Sequence, residues 1–154
     1  MVLSAEALPI THVSVVGHTR MALGEVLSLT DELKGTSMVT ADLETLRARL
    51  RELPWVQDAA IRRVFPGTML VAISERQPMG IGRIGTQLQL VDQYGVLMGE
   101  FGPHYAELDL PIIDGLAPAT RGGDGAVDPM RAALAARVIA DLNRRPDLAG
   151  RLSQ

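Results

Sequence analysis

The sequence predicts an α+β chain: a strand–helix–helix–strand–strand unit, then an incomplete antiparallel β-region carrying one helix. Three observations predict it. Apolar residues alternate with a period of two over 10–16, 56–65 and 69–75, as strands with one wet face do. Leucines at 43, 46, 50 and 53 recur at helical spacing. Near the end, Asp128-Pro129 precedes another spaced apolar set, Leu134, Val138 and Leu142. The expected organisation is a flexible lead over 1–9, a first domain over 10–78 and a second over 79–154. The second holds a flexible loop at about 117–127 and a helix at about 128–145.

Taken in order, Ile10 to Val16 is the first strand, with His12 and Ser14 on the wet face and Val13 and Val15 inward, ending at Gly17. A helix follows on Val26, Leu29 and Leu33, and Lys34-Gly35 stops it, because glycine tolerates the left-handed conformation at a helix end. The second helix is expected to be capped by Thr40, with Asp42 and Glu44 near its positive end and Arg47, Arg49 and Arg51 near its negative end. Pro54 ends it. Val56 to Phe65 and Met69 to Ile73 form a hairpin around Pro66-Gly67. Beyond Pro78 the character changes: Ile81 and Ile84 sit among glycines, and the stretch 80–87 is assigned no element. Leu88, Leu90 and Val91 lead into the turn Asp92-Gln93-Tyr94-Gly95 and a short strand at Val96-Leu97-Met98. Leu110 to Ile113 is extended and closes at Asp114-Gly115. Pro118 to Gly125 is a loop, and the last helix runs from its Asp128 cap to Pro146.

Composition narrows the function. Hydrophobic residues make up 47% of the 154, enough for a core, but aromatics are 3%, so Val, Leu, Ile, Met and Ala must build it. A formal charge of −3 argues against a nucleic-acid partner. The absence of cysteine excludes a disulfide framework, a thiol nucleophile and a cysteine zinc site. No stretch approaches the roughly 18–20 apolar residues of a membrane helix, and Met1 to Pro9 lacks the form of a signal peptide. As written, the chain is expected to be soluble, without an export address.

Nothing in the sequence points to catalysis. His12, His18 and His104 are too widely spaced for a metal motif. Asp92, Glu100, Asp109 and Asp114 cluster in sequence, but each falls at a turn or loop, where Asp commonly caps the backbone. There is no GxSxG and no Walker loop, and Gly122-Gly123-Asp124-Gly125 reads as a linker. No catalytic, cofactor-binding or metal-binding residue is therefore expected, and no small-molecule substrate.

The middle of the chain carries a resemblance. Leu53-Pro54-Trp55-Val56, then Ala59 and Ile61-Arg62-Arg63, then Phe65-Pro66, then Glu75-Arg76-Gln77-Pro78 resembles the FtsQ/DivIB bacterial division proteins. Gly35-Thr36-Ser37-Met38 with Asp42, Leu90-Val91-Asp92 with Gly95, and Leu110-Pro111 with Asp114-Gly115-Leu116 fit further segments of that family in order. The resemblance implies a POTRA domain over 10–78 and the start of the family's β-domain over 79–154. It also implies a parent protein with a cytoplasmic tail and a single inner-membrane helix, this segment facing the periplasm. Against that architecture the tail, the membrane helix and the larger sheet of the second domain are expected to lie outside this chain.

The resemblance further implies a non-catalytic scaffold that contacts FtsB, FtsL and neighbouring division proteins, with the family's main FtsB surface in that larger sheet. A POTRA sheet leaves strand edges free to take a partner strand. By resemblance the strand 57–63 is the candidate edge, with Asp58, Ile61 and Arg63 at the matching positions and Ala60 and Arg62 beside them as further partner-binding candidates; a core Ile61 and solvated charges are the plainer alternative. Pro54, Trp55, Val56, Pro66, Glu75, Arg76, Pro78, Asp92 and Gly95 are structural motif residues. Trp55 is expected to wedge between the second helix and the sheet. Glu75 and Arg76 either brace the domain junction or form a solvated ion pair. Arg47, Arg49 and Arg51 are read as a solvated face, with anionic lipid the alternative. Two other functions compete: a POTRA module of an outer-membrane assembly or secretion system binding unfolded chains, and a small hydrolase using the turn carboxylates.

Overall fold

The computed structural model describes residues 8–117 and 126–145; the rest of the expected lead, most of the glycine-rich loop and Pro146 lie outside them. The chain divides into two units, Met1–Arg76 and Gln77–Gln154.

The first unit contains β1 (His12–Val16), α1 (Leu23–Thr30), α2 (Leu43–Arg51), β2 (Val56–Val64) and β3 (Thr68–Glu75). The sheet order is β1-β3-β2, with β3 parallel to β1 and antiparallel to β2. The period-two pattern decides which face is dry. Register aligns Val13 with Met69, Val15 and Ile61 with Val71, and Ala59 with Ile73. Met69, Val71, Ile73 and Ala59 are buried on that face, and Val26 of α1 and Leu46 and Leu50 of α2 are buried with them in the core. Leu70, Ala72 and Ser74 alternate onto the opposite face beside Arg62, Ala60 and Asp58.

Two helix details differ from the sequence reading. The cap of α2 is Asp42 rather than Thr40: Asp42 Oδ1 accepts from the Thr45 amide at 3.0 Å, and its Oδ2 from the Thr45 hydroxyl at 2.6 Å. A cap side chain reaches the amide two or three residues on, and Thr40 lies two residues ahead of the position from which the first free amides of α2 can be reached. The first helix tightens into a 3-10 turn at Asp31–Leu33 before Gly35 reverses the chain at φ +84°. Its buried pair is therefore Val26 and Thr30, one helical turn apart, while Leu29 and Leu33 are only half-buried.

The second unit holds β4 (Pro78–Ile84), β5 (Gln87–Asp92), β6 (Leu97–Glu100), β7 (Ile112–Ile113) and α3 (Pro129–Asn143). Its sheet order is β6-β5-β4-β7; the first three are antiparallel as expected, and β7 alone runs parallel to β4. Strand β4 occupies the glycine-rich stretch to which the sequence assigned no element. Its glycines hid it, because they carry no side chain to alternate, yet they are needed. A Cβ on Gly80 would lie 2.5 Å from Ile113 Cδ1, and one on Gly82 3.0 Å from Leu116 Cδ1. The short residues let β7 and the following segment close on a core of Ile84, Val91 and Leu116.

Helix α3 starts as the sequence predicts, with Asp128 Oδ1 accepting from Met130 N at 2.9 Å. Its buried residue is Ala132, however, and the expected stripe residues Leu134 and Val138 are exposed. The small side chain brings the helix close to the turn at Gly95, where an added Cβ would lie 3.3 Å from that of Ala132. A helix seated on alanine buries little area, so it opens cheaply. Hydrogen exchange is expected to run faster over Leu134–Leu142 than over Met69–Ile73; equal protection in the two segments would contradict this seating.

Candidate functional site

The two best-marked sequence motifs, twenty residues apart, meet at one end of the first unit. Arg76 donates its amide to Trp55 O at 2.8 Å, its Nε to Pro54 O at 3.1 Å and its Nη2 to Val56 O at 3.2 Å. One residue thereby fixes the turn from α2 into β2, and Trp55, at 8% exposure, is a core residue there. Glu75 works on the other side of β3. Its carboxylate accepts the amides of Thr19, Arg20 (2.8 Å) and Met21 (2.9 Å), closing the loop between β1 and α1. Burial raises the Glu75 carboxyl, but the amides of Met21, Thr19 and Arg20, with the Arg20 charge, outweigh it and hold the group below its ordinary value of 4.5. The motif pair thus locks both loops at one end of β3.

Because β3 is central, β2 is an edge strand. The five residues expected to contact a partner divide along it. Asp58 is held by Arg47, whose Nε and Nη2 lie 3.2 and 2.9 Å from Oδ1, and Arg51 Nε lies 3.9 Å from the same oxygen. The Arg47 hydrogen bond, the Ala59 amide and the two arginine charges keep its carboxyl below the usual range. Arg63 turns inward along the unit, donating Nε to Met38 O at 2.6 Å and Nη2 to Ala41 O at 2.9 Å. Ile61 is half-buried and shares the dry face with Val71. Ala60 and Arg62 are exposed on the opposite face.

The edge itself is legible in one bond. Asp58 Oδ1 accepts the Ala59 amide at 2.9 Å. An amide met by its neighbour's side chain is one that points away from β3, and alternation then turns the Ile61 and Arg63 amides outward too. One end of the edge is closed by Asp58, and Ile61–Arg63 offers the open stretch. Sequence reasoning marked these residues but not the closure, which needs the Arg47–Asp58 pairing to be seen. Arg49 binds Glu32 at 2.8 Å, so the helix arginines are engaged within the unit.

Pro66 forms a cis bond with Phe65 at the hairpin turn. In the second unit Pro78 opens β4 opposite Asp92. Asp92 is buried and accepts the Tyr94 and Val96 amides at 2.9 and 2.8 Å, with Gly95 at φ +84° completing the turn. Asp114 holds Arg83 at 2.8 Å. Two of the four turn carboxylates are thus occupied in holding the fold. Among the described residues no group of three or more His, Cys, Asp or Glu could hold a metal ion, and no helix is long and apolar enough to cross a membrane.

Comparison with known proteins agrees with this architecture. Residues 8–76 match the family model "POTRA domain, FtsQ-type". The chain is 31% identical over 113 residues to the cell division protein FtsQ of Zymomonas mobilis, covering 73% of this chain and 35% of that protein. It is 37% identical over 92 residues to FtsQ of Agrobacterium fabrum, covering 60% and 29%. Against FtsQ of Geobacter sp. strain M21 it is 33% identical over 118 residues, covering 75% and 42%. The chain thus spans 29–42% of the length of these curated relatives.

The clamp gives a pH test. Glu75→Gln is expected to cost about 1.5 kcal/mol, the low end of the scale for hydrogen bonds to a charged group because most of the clamp is solvent-screened. A lowered folded-state pKa stabilises above the unfolded value, so the gap between wild type and variant should be full above pH 4.5. It should close as the pH falls through the lower folded value. Denaturant titrations followed by Trp55 fluorescence at pH 7 and at pH 3 check both statements.

Proposed function

We propose that this chain, whose residues 8–76 match the FtsQ-type POTRA domain model, is a non-catalytic scaffold of the septal assembly that takes a partner strand along β2. The observation that carries the reading is the edge: β2 is paired on one side only, Asp58 shuts one end, and the Ile61 and Arg63 amides face outward. Backbone hydrogen bonds would supply affinity there, and the exposed Ala60 and Arg62 would supply selectivity. Asp58, Ile61 and Arg63 shape the edge rather than touch the partner, since their side chains are committed within the unit.

The partners in this reading are the periplasmic segments of FtsB, FtsL and neighbouring division proteins. The parent is an inner-membrane protein with a single spanning helix, and this segment works in the periplasm. The role needs no cofactor, metal, nucleic acid or small-molecule substrate. Arranging several division proteins on one strand edge and one further domain is a task of geometry, and the rigid clamp of Glu75 and Arg76 suits it.

The test is a titration of wild type, Ala60→Glu and Arg62→Glu against those periplasmic segments. Both side chains lie on the wet face, so the variants should keep the wild-type unfolding midpoint. Binding should weaken about tenfold or more, a loss of about 1.4 kcal/mol. A folded wild type that binds none of the segments, or variants that bind as the wild type does, would overturn the reading.

A further inference from the structure

We propose that the β2–β3 turn, with the neighbouring loop before α2, is a membrane-contact tip that rests on the lipid interface. The proposal deepens the scaffold reading and rests on its membrane-anchored parent. Among the described residues of the first unit five large apolar ones are exposed, and three of them gather at one end: Phe65 at 61%, Val39 at 52% and Val64 at 46%. Hydrogen bonds show why they gather. The Thr11 amide donates to Gly67 O at 2.8 Å, just past Phe65-Pro66, and the Met38 amide donates to Leu8 O at 2.8 Å, just before Val39. Arg63 ties β2 to the same loop through Met38 O and Ala41 O. Leu8–Thr11 therefore runs between the two apolar segments.

Charge points the same way. The three stretches that meet here, 8–12, 36–41 and 62–68, contain Arg62 and Arg63 and no carboxylate, in a chain with 18 acidic residues. The nearest acid, Asp42, caps α2 through Thr45. An exposed aromatic and two valines ringed by arginine, with acids excluded, match the apolar boundary and anionic headgroups of a bilayer. The tip would hold the first unit against the membrane and set the direction in which the β2 edge faces.

The absence of cysteine makes the test clean. Val64→Cys carrying an environment-sensitive nitrobenzoxadiazole label reports the tip, and Tyr94→Cys, exposed in the second unit, is the control. The full chain with an N-terminal histidine tag is tethered to phosphatidylethanolamine–phosphatidylglycerol vesicles containing nickel-chelating lipid. The tip label should shift to the blue and be quenched by a shallow spin-labelled lipid, the control should do neither, and Phe65→Glu should abolish the tip's response without moving the unfolding midpoint. A tip label that keeps its aqueous emission while tethered overturns the proposal, as does one that shifts only when FtsB or FtsL segments are added, which would make the tip a protein site. Because the tag supplies the tether, this outcome is independent of the parent's own anchor, which fractionation of the parent reads separately.

Discussion

Strand β3 is the constraint on which the first unit depends. It is hydrogen-bonded on both sides, its Met69, Val71 and Ile73 anchor the dry face, and its end supplies the two residues that hold the flanking loops. A small sheet under two short helices buries little area, so loops that frayed would cost much of its stability. Glu75 and Arg76 prevent this by reaching in opposite directions from adjacent positions, as alternation along a strand requires. The edge strand is a consequence. With β3 central and β1 on one flank, β2 is left with an unpaired side.

An unpaired edge is a hazard as well as a resource, and this one is managed. Asp58 occupies the Ala59 amide and is held there by two arginines of α2, so nonspecific pairing is blocked at one end. Arg63 places a cation beside the open end while its guanidinium anchors the loop at Met38 and Ala41. The stretch left open for the proposed docking is thereby a short window. The same Arg63 links the edge to the apolar tip, so contact of the tip with a surface and contact of the edge with a strand share one support.

Much of this was legible in the sequence where side chains alternate. Met69 to Ile73 against Leu70 to Ser74 specified β3, its dry face and its hairpin partner. The motif residues from Pro54 to Val56 and from Glu75 to Pro78 carried the family resemblance before any geometry did. Legibility failed where the signal is carried by what is missing. Strand β4 was hidden because Gly80 and Gly82 exist to admit Ile113 and Leu116, contacts invisible to periodicity. The stripe of α3 misled because close approach favoured Ala132 over the larger Leu134. At the site, sequence marked five residues on β2 and put Asp58, Ile61 and Arg63 foremost. Only the bonds from Arg47 to Asp58 and from Arg63 to Met38 separate those that shape the edge from those exposed on it.

The central claim is that the open stretch of β2 is where a partner strand docks. Amide protection by isotope-edited NMR, measured with and without a saturating periplasmic segment of FtsB or FtsL, tests it most directly. The account predicts that the Ile61 and Arg63 amides gain protection on binding, while the Ala59 amide, already met by Asp58, changes little. Binding that leaves Ile61 and Arg63 exchanging as in the free protein would contradict it.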